Sequence, residues 1–161
     1  MVMRILAIDP GFDRMGVAIV EGDGSTPVVV FSECVSPPKG DRELRLAYIQ
    51  RAIMHLIEEY APMMLVLESL YFSKNKKTAL GVAEARGTVI ATAGTKGVPV
   101  REIPPGTVKL AVTGNGRADK KAVAHMVEKL VKLEEKKRLD DELDAIAVGI
   151  TALALRFPQK L

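Results

Sequence analysis

A single cysteine, Cys34, and two well-separated histidines leave this chain of 161 residues without the means for an internal disulfide or a zinc cage. No apolar run approaches the roughly 20 residues that a bilayer-spanning helix needs, and the N-terminus leads straight into an apolar segment with no signal-peptide layout. Repeats, low-complexity tracts and interdomain linkers are absent as well. A membrane protein, a secreted disulfide scaffold and a zinc-stapled module are therefore not expected. The expectation is a single domain over residues 1–161 in a reducing cytoplasm, and 48% apolar content suffices for a full core. The formal net charge is only +3, but a pI near 9.0 suits a polyanionic partner if the lysines cluster.

What is present falls into short, well-punctuated segments. Arg4 to Ile8 is an apolar run ending in Asp9-Pro10-Gly11, a buried strand meeting a turn. Met15 to Val20 and Pro27 to Val35 are β-branched runs separated by a Gly- and Asp-rich hairpin signal at residues 21–25. Asp41 to Tyr60 predicts a helix with Leu44, Ile49, Ile53, Leu56 and Ile57 on one face, ended by Pro62. Met63 to Leu67 is another strand, Asn75 to about Thr95 an Ala-rich helix, and Val98 to Ile103 a strand stopped by Pro104-Pro105. Helices follow over Thr107 to Val112, from an Asp119 cap through Leu133, and from Asp140 or Asp141 onward. The order βββαβαβααα predicts an α/β fold: a five-stranded mixed sheet, three antiparallel strands then two parallel, with helices on both faces. Sites in such sheets lie beyond the carboxyl ends of parallel strands.

Four acids stand beside strongly apolar segments: Asp9, Glu68, Asp141 and Asp144. Desolvating a carboxylate is costly unless it is hydrogen-bonded or neutralised, so several converging on one point suggest a divalent cation and chemistry on phosphates. Asp141 and Asp144 are three residues apart on a helix and project from one side of its first turn. Acids there also complement the helix dipole, and from the segment alone both readings stand. The apolar run Ala145 to Leu155 favours a buried helix, with its acids held near the sheet. Asp9 could serve only its own turn. Glu68 is harder to dismiss, because glutamate is poor in strands and rarely buried without a partner.

Two further features point to a polyanion and to a second chain. Lys74, Asn75, Lys76 and Lys77 open the long helix directly after Tyr71-Phe72, placing donors beside a stacking pair. Cations at a helix N-terminus oppose its dipole, so helix stability does not account for them. A core role for the two aromatics, with merely solubilising lysines, is the competing reading. Lys120 and Lys121 add a second basic cluster, whereas Lys136, Lys137 and Arg138 alternate with acids and read as an exposed polar face or loop. The long helix carries more small and apolar surface at Ala79, Leu80, Val82, Ala83, Ala85, Val89 and Ile90 than one core-facing stripe requires. Burial of both of its faces in the core is the alternative to a partner helix.

Ile8-Asp9-Pro10-Gly11, Leu67-Glu68 ahead of Tyr71-Phe72 and Lys74-Asn75, Glu84-Ala85-Arg86-Gly87, Val108-Lys109, Gly114-Asn115-Gly116, His125-Met126-Val127 and Asp141-Glu142-Leu143-Asp144-Ala145-Ile146-Ala147 together resemble the RuvC family of Holliday-junction resolvases. The resemblance spans essentially the whole chain. It implies a ribonuclease H-like nuclease domain acting as a homodimer on four-way DNA junctions, and leaves room for a branch-migration motor as a further partner. It places catalytic and metal-binding acids at Asp9, Glu68, Asp141 and Asp144, functional lysines at Lys109 and Lys120, a junction-inserting aromatic at Tyr71 with Phe72 beside it, and a DNA contact at Arg86. Aspartate at 141, where some relatives have histidine, favours magnesium, two ions per site, or manganese. Paired ions would support in-line hydrolysis to a 5′-phosphate and a 3′-hydroxyl. The other readings are an actin-like ATPase, which needs more chain than this, a related nuclease acting on structured RNA, and a noncatalytic junction-binding module.

Overall fold

The structure is a computed structural model that describes residues 2–70 and 76–157. β1 (Met3–Asp9), β2 (Met15–Gly22) and β3 (Val28–Val35) form an antiparallel meander. β4 (Met64–Glu68) and β5 (Val100–Ile103) continue the sheet in parallel from β1. The strand order is β3-β2-β1-β4-β5, and the sheet is mixed as expected, with three antiparallel strands and then two parallel ones. α1 (Arg42–Tyr60) joins β3 to β4, α2 (Lys76–Thr95) joins β4 to β5, and α3 (Pro105–Thr113), α4 (Lys120–Leu130) and α5 (Asp140–Leu155) complete the chain.

The central strand β1 is buried on both sides, and its alternation builds two cores. Ile5 and Ala7 face α3, α4 and α5, while Leu6 and Ile8 face α1 and α2, and all four are 0% exposed. α5 is apolar nearly all round because it lies across β1 and β2 with Ala145 to Val148 buried. Two close approaches fix its seat. A Cβ on Gly149 would stand 2.5 Å from Val20 Cγ2, and one on Gly16 would stand 1.7 Å from the carbonyl oxygen of Asp141. The start of β2 is thus pressed directly onto the first turn of α5. Among the described residues, no helix is long and apolar enough to cross a membrane.

Several boundaries and faces differ from the sequence expectation, each for a local reason. Leu44 is 63% exposed rather than on the buried face of α1. Five residues before Ile49 place it about 140° around the helix from that residue. α3 begins at Pro105, since a proline at the first helical position loses no hydrogen bond. α4 is capped by the Asp119 side chain accepting from the Ala122 amide, as expected. It stops at Leu130 rather than Leu133 because Val131 turns extended, its side chain buried in the core. The start expected for the long helix, Asn75, lies outside the described residues.

Substituting Gly16→Ala should lower stability by about 1–3 kcal/mol, the usual cost of overpacking a close-packed contact. Urea denaturation measures it, and an unchanged midpoint would show that β2 and α5 are not locked at this point.

Candidate active site

β1 and β4 are adjacent parallel strands with Ile8 paired to Leu67, so the residues that follow, Asp9 and Glu68, reach the sheet's carboxyl edge side by side. The first turn of α5 enters over the same edge with Asp141 and Asp144 on one face. α3 brings Lys109 and the N-terminus of α4 brings Lys120. All six side chains line one cavity of about 270 Å³, together with Arg14 from the β1–β2 turn. The structure therefore brings together every residue that the sequence marks as catalytic.

The electrostatics of this cavity are those of crowded anions. Burial, reinforced by Asp144, Glu68 and Asp141, pushes the Asp9 carboxyl up from 3.8 to about 8, against a smaller opposing pull from Lys120. Burial also raises Glu68, with Asp144 adding to it and Lys120 and Lys109 opposing. Asp144 is raised by burial and drawn back by Lys120, whose ammonium is raised in turn by Asp144. Lys120 Nζ stands 3.5 Å from Asp144 Oδ2, and Arg14 Nε stands 3.1 Å from Asp141 Oδ2. That oxygen of Asp141 is buried and has no aligned hydrogen-bond partner.

As placed, no three His, Cys, Asp or Glu side chains among the described residues form a group able to hold a metal ion. Cationic side chains stand instead beside two of the four carboxylates. The donor chemistry nonetheless fits a hard divalent cation. All four acids offer carboxylate oxygens, one of those oxygens is buried without a hydrogen bond, and burial, reinforced by its acidic neighbours, disfavours the charged form of Asp9 where no cation offsets it.

The residues expected to touch a polyanion divide into three groups. Lys76 and Lys77 are exposed on the first turn of α2, and Lys121 is exposed on the first turn of α4. Tyr71, Phe72, Lys74 and Asn75 lie outside the described residues. Arg86 is placed differently from the expectation: its guanidinium is 12% exposed, pairs with Glu102, and donates from Nη1 to the Glu68 carbonyl at 3.1 Å. These contacts hold the end of β4 in place and leave little of the guanidinium exposed.

The segment before α5 is the exposed polar loop that the sequence predicts, except that two of its cations reach a buried acid. Lys136 Nζ and Arg138 Nε stand 3.0 and 3.2 Å from Glu142 Oε1, which also accepts a 2.7 Å hydrogen bond from Ser32 Oγ on β3. Glu142 is 5% exposed and sits between the two acids of α5. The Ser32 hydrogen bond and the Lys136 ion pair tie that turn to β3 and to the segment ahead of the helix, while Arg138 Nε adds charge at 3.2 Å without an aligned hydrogen bond. The signal open to sequence reasoning was the four-residue spacing of Arg138 and Glu142. Nothing local marked Ser32 or Arg14.

Residues 5–152 match the family described as Crossover junction endodeoxyribonuclease RuvC. The chain is 45% identical over 150 residues to crossover junction endodeoxyribonuclease RuvC of Moorella thermoacetica, covering 92% of this chain and 89% of that protein. To its counterpart in Syntrophomonas wolfei it is 38% identical over 152 residues, covering 94% and 88%. Among solved structures it resembles T. thermophilus RuvC in complex with Holliday junction substrate, with a TM-score of 0.88, 29% identity, and coverage of 95% and 94% of the two chains. The yeast mitochondrial Holliday junction resolvase shares the fold at a TM-score of 0.69 and 12% identity. With four acids at the strand ends and α5, and a match over nearly its full length, this chain belongs to the RuvC family.

Proposed function

We propose that this protein is a metal-dependent endonuclease that resolves four-way DNA junctions by paired symmetric nicks in recombination and repair. The observation that carries this reading is the single cavity lined by Asp9, Glu68, Asp141 and Asp144 with Lys109 and Lys120 at its walls. The four carboxylates would hold two magnesium ions, with manganese as a substitute. Bound there, divalent ions supply activation of water and neutralisation of charge on the phosphate. Lys109 and Lys120 bring positive charge to the cavity, where a phosphodiester enters among carboxylates that would otherwise repel it. A water activated by the bound ions needs no protein nucleophile, so the expected products are a 5′-phosphate and a 3′-hydroxyl, with no covalent intermediate.

In this proposal Tyr71, Phe72, Lys74, Asn75, Lys76, Lys77 and Lys121 contact the junction, and Arg86 holds the end of β4 instead. A homodimer is supported by the outer face of α2. Leu80 is 63% exposed, Ala83 and Ala91 are exposed beside it, and a Cβ on Gly87 or Gly94 would meet nothing within 4 Å. Such a face lets a second helix approach closely. Two-fold symmetry would then set two cavities against two strands of the junction. The single cysteine suits a reducing compartment, and we place the reaction in the cytoplasm.

A synthetic four-way junction and a duplex of equal length, each with magnesium or EDTA, test this reading. Nicking should be symmetric, confined to the junction and abolished by EDTA, and Asp9→Asn should slow it by about 10²–10³-fold, the scale for loss of one preorganised charged group. Cleavage of structured RNA in preference, ATP hydrolysis without cleavage, or tight junction binding without cutting in any metal would favour the competing readings.

The same acids make a stability prediction. The folded-state pKa of Asp9, about 8, lies above its unfolded value of 3.8, so the folded protein binds more protons between those values. This group's stabilising contribution is therefore full at low pH and lost as pH rises toward about 8. In EDTA at pH 8, Asp9→Asn should be more stable than the wild type by roughly 1–2 kcal/mol in urea denaturation, a fraction of the full linkage. At pH 5 the gap should shrink. A variant less stable at both pH values would mean that Asp9 is not strained by its neighbours.

A further inference from the structure

We infer that Arg14 is an exchangeable counter-ion: it neutralises Asp141 until a divalent cation takes that carboxylate, and then turns into the adjoining pocket to hold a DNA phosphate. The inference rests on the cation-binding reading of the four acids and assigns a role to a residue outside them.

Three observations carry it. First, the Arg14–Asp141 contact has charge and proximity without direction. Arg14 Nε is 3.1 Å from Asp141 Oδ2, yet that buried oxygen has no aligned hydrogen-bond partner. The Arg14 side chain is 53% exposed, so screening weakens the pair, whereas Asp141 at 22% cannot easily find water instead. Second, the backbones on both sides are locked and leave only the side chain to move. A Cβ on Gly11 would stand 1.8 Å from the Arg14 carbonyl oxygen, and the Asp141 carbonyl is packed equally tightly against Gly16. Third, Arg14 lines two cavities at once. One is the catalytic cavity; the other, of about 470 Å³, adjoins it across Gly11 and Asp141 and extends past Arg42, Lys77 and Thr78 on α1 and α2.

A cation binding Asp141 would repel the guanidinium and take over the charge it neutralises. The second cavity is the open direction for a side chain anchored at the β1–β2 turn. Arg42, which pairs there with Glu84 at 3.3 Å, Lys77 and Thr78 are of the types that contact a phosphate oxygen, and Asp13 and Glu84 line the same pocket, so an arginine turning into it also meets acids. A strand leaving the catalytic cavity on that side would place its next phosphates there. Arg14 would thus make DNA affinity depend on metal occupancy without itself touching the scissile bond.

The test measures Mn²⁺ binding without DNA by calorimetry, and junction binding by fluorescence anisotropy in EDTA and in Ca²⁺, for wild type, Arg14→Met and Arg14→Lys. Removing a half-exposed competing ion pair should tighten Mn²⁺ binding by about 2- to 5-fold in Arg14→Met. Arg14→Lys should fall between it and wild type. In Ca²⁺, Arg14→Met should lose about one phosphate contact from the salt dependence of junction binding, and in EDTA it should lose none. Unchanged or weaker Mn²⁺ binding by Arg14→Met, with normal binding by wild type, would overturn the counter-ion role. An equal loss of junction affinity in EDTA and Ca²⁺ would make Arg14 an ordinary surface contact. Absence of Mn²⁺ binding by the wild type would instead remove the cation-site reading on which the inference stands.

Discussion

The cost of burying acids together at one edge of the sheet, reinforced by their mutual repulsion, is the constraint around which this molecule is built. Adjacent parallel strands deliver Asp9 and Glu68 side by side, and α5 brings Asp141 and Asp144 over them. Raising Asp9 from 3.8 to about 8 corresponds to several kcal/mol of unfavourable interaction with its surroundings. Full burial of a large aliphatic side chain contributes about 1.5–3 kcal/mol, so two or three such residues offset one strained acid. Ile5, Leu6 and Ile8, immediately before Asp9 and 0% exposed, supply that much from the same strand. The long apolar runs that end in acids are therefore the two halves of one arrangement: a core stable enough to hold charges that would otherwise separate.

Holding acids together also requires that their backbones cannot retreat. Gly16 and Gly149 let β2 and α5 meet at distances no side chain would permit. Glu142, buried between the two acids of α5, is tied by Ser32, Lys136 and Arg138 to β3 and to the segment ahead of the helix. Arg86 grips the carbonyl of Glu68 from α2. Each of these contacts acts on a backbone or a neighbouring residue, so the carboxylates themselves stay available for a ligand. The cations near them, Arg14 and Lys120, are the exposed and movable members of the set, with side chains 53% and 77% exposed.

The five strands and their mixed directions were legible because strand periodicity and turn residues act over a few positions. Asp9 and Glu68 were legible because an acid directly after a buried strand is costly to desolvate and so points to a partner, and Asp141 and Asp144 because three-residue spacing places them on one helix face. What escaped is everything decided by distant partners. Lys136 and Arg138 look like solvated charges until Glu142 and Ser32 are known to lie beneath them. Arg86 looks like a DNA contact until Glu102 and the Glu68 carbonyl claim its guanidinium. Leu44 looks like core until its angle around α1 is set against Ile49. A charged side chain has long reach and many possible partners, so its destination is fixed by tertiary structure and not by its neighbours in sequence.

The most direct test of the central claim is anomalous diffraction from crystals grown with Mn²⁺. The account predicts strong anomalous peaks bounded by Asp9, Glu68, Asp141 and Asp144, with Arg14 no longer beside Asp141. Peaks elsewhere on the molecule, or none within this cavity at saturating Mn²⁺, would contradict it.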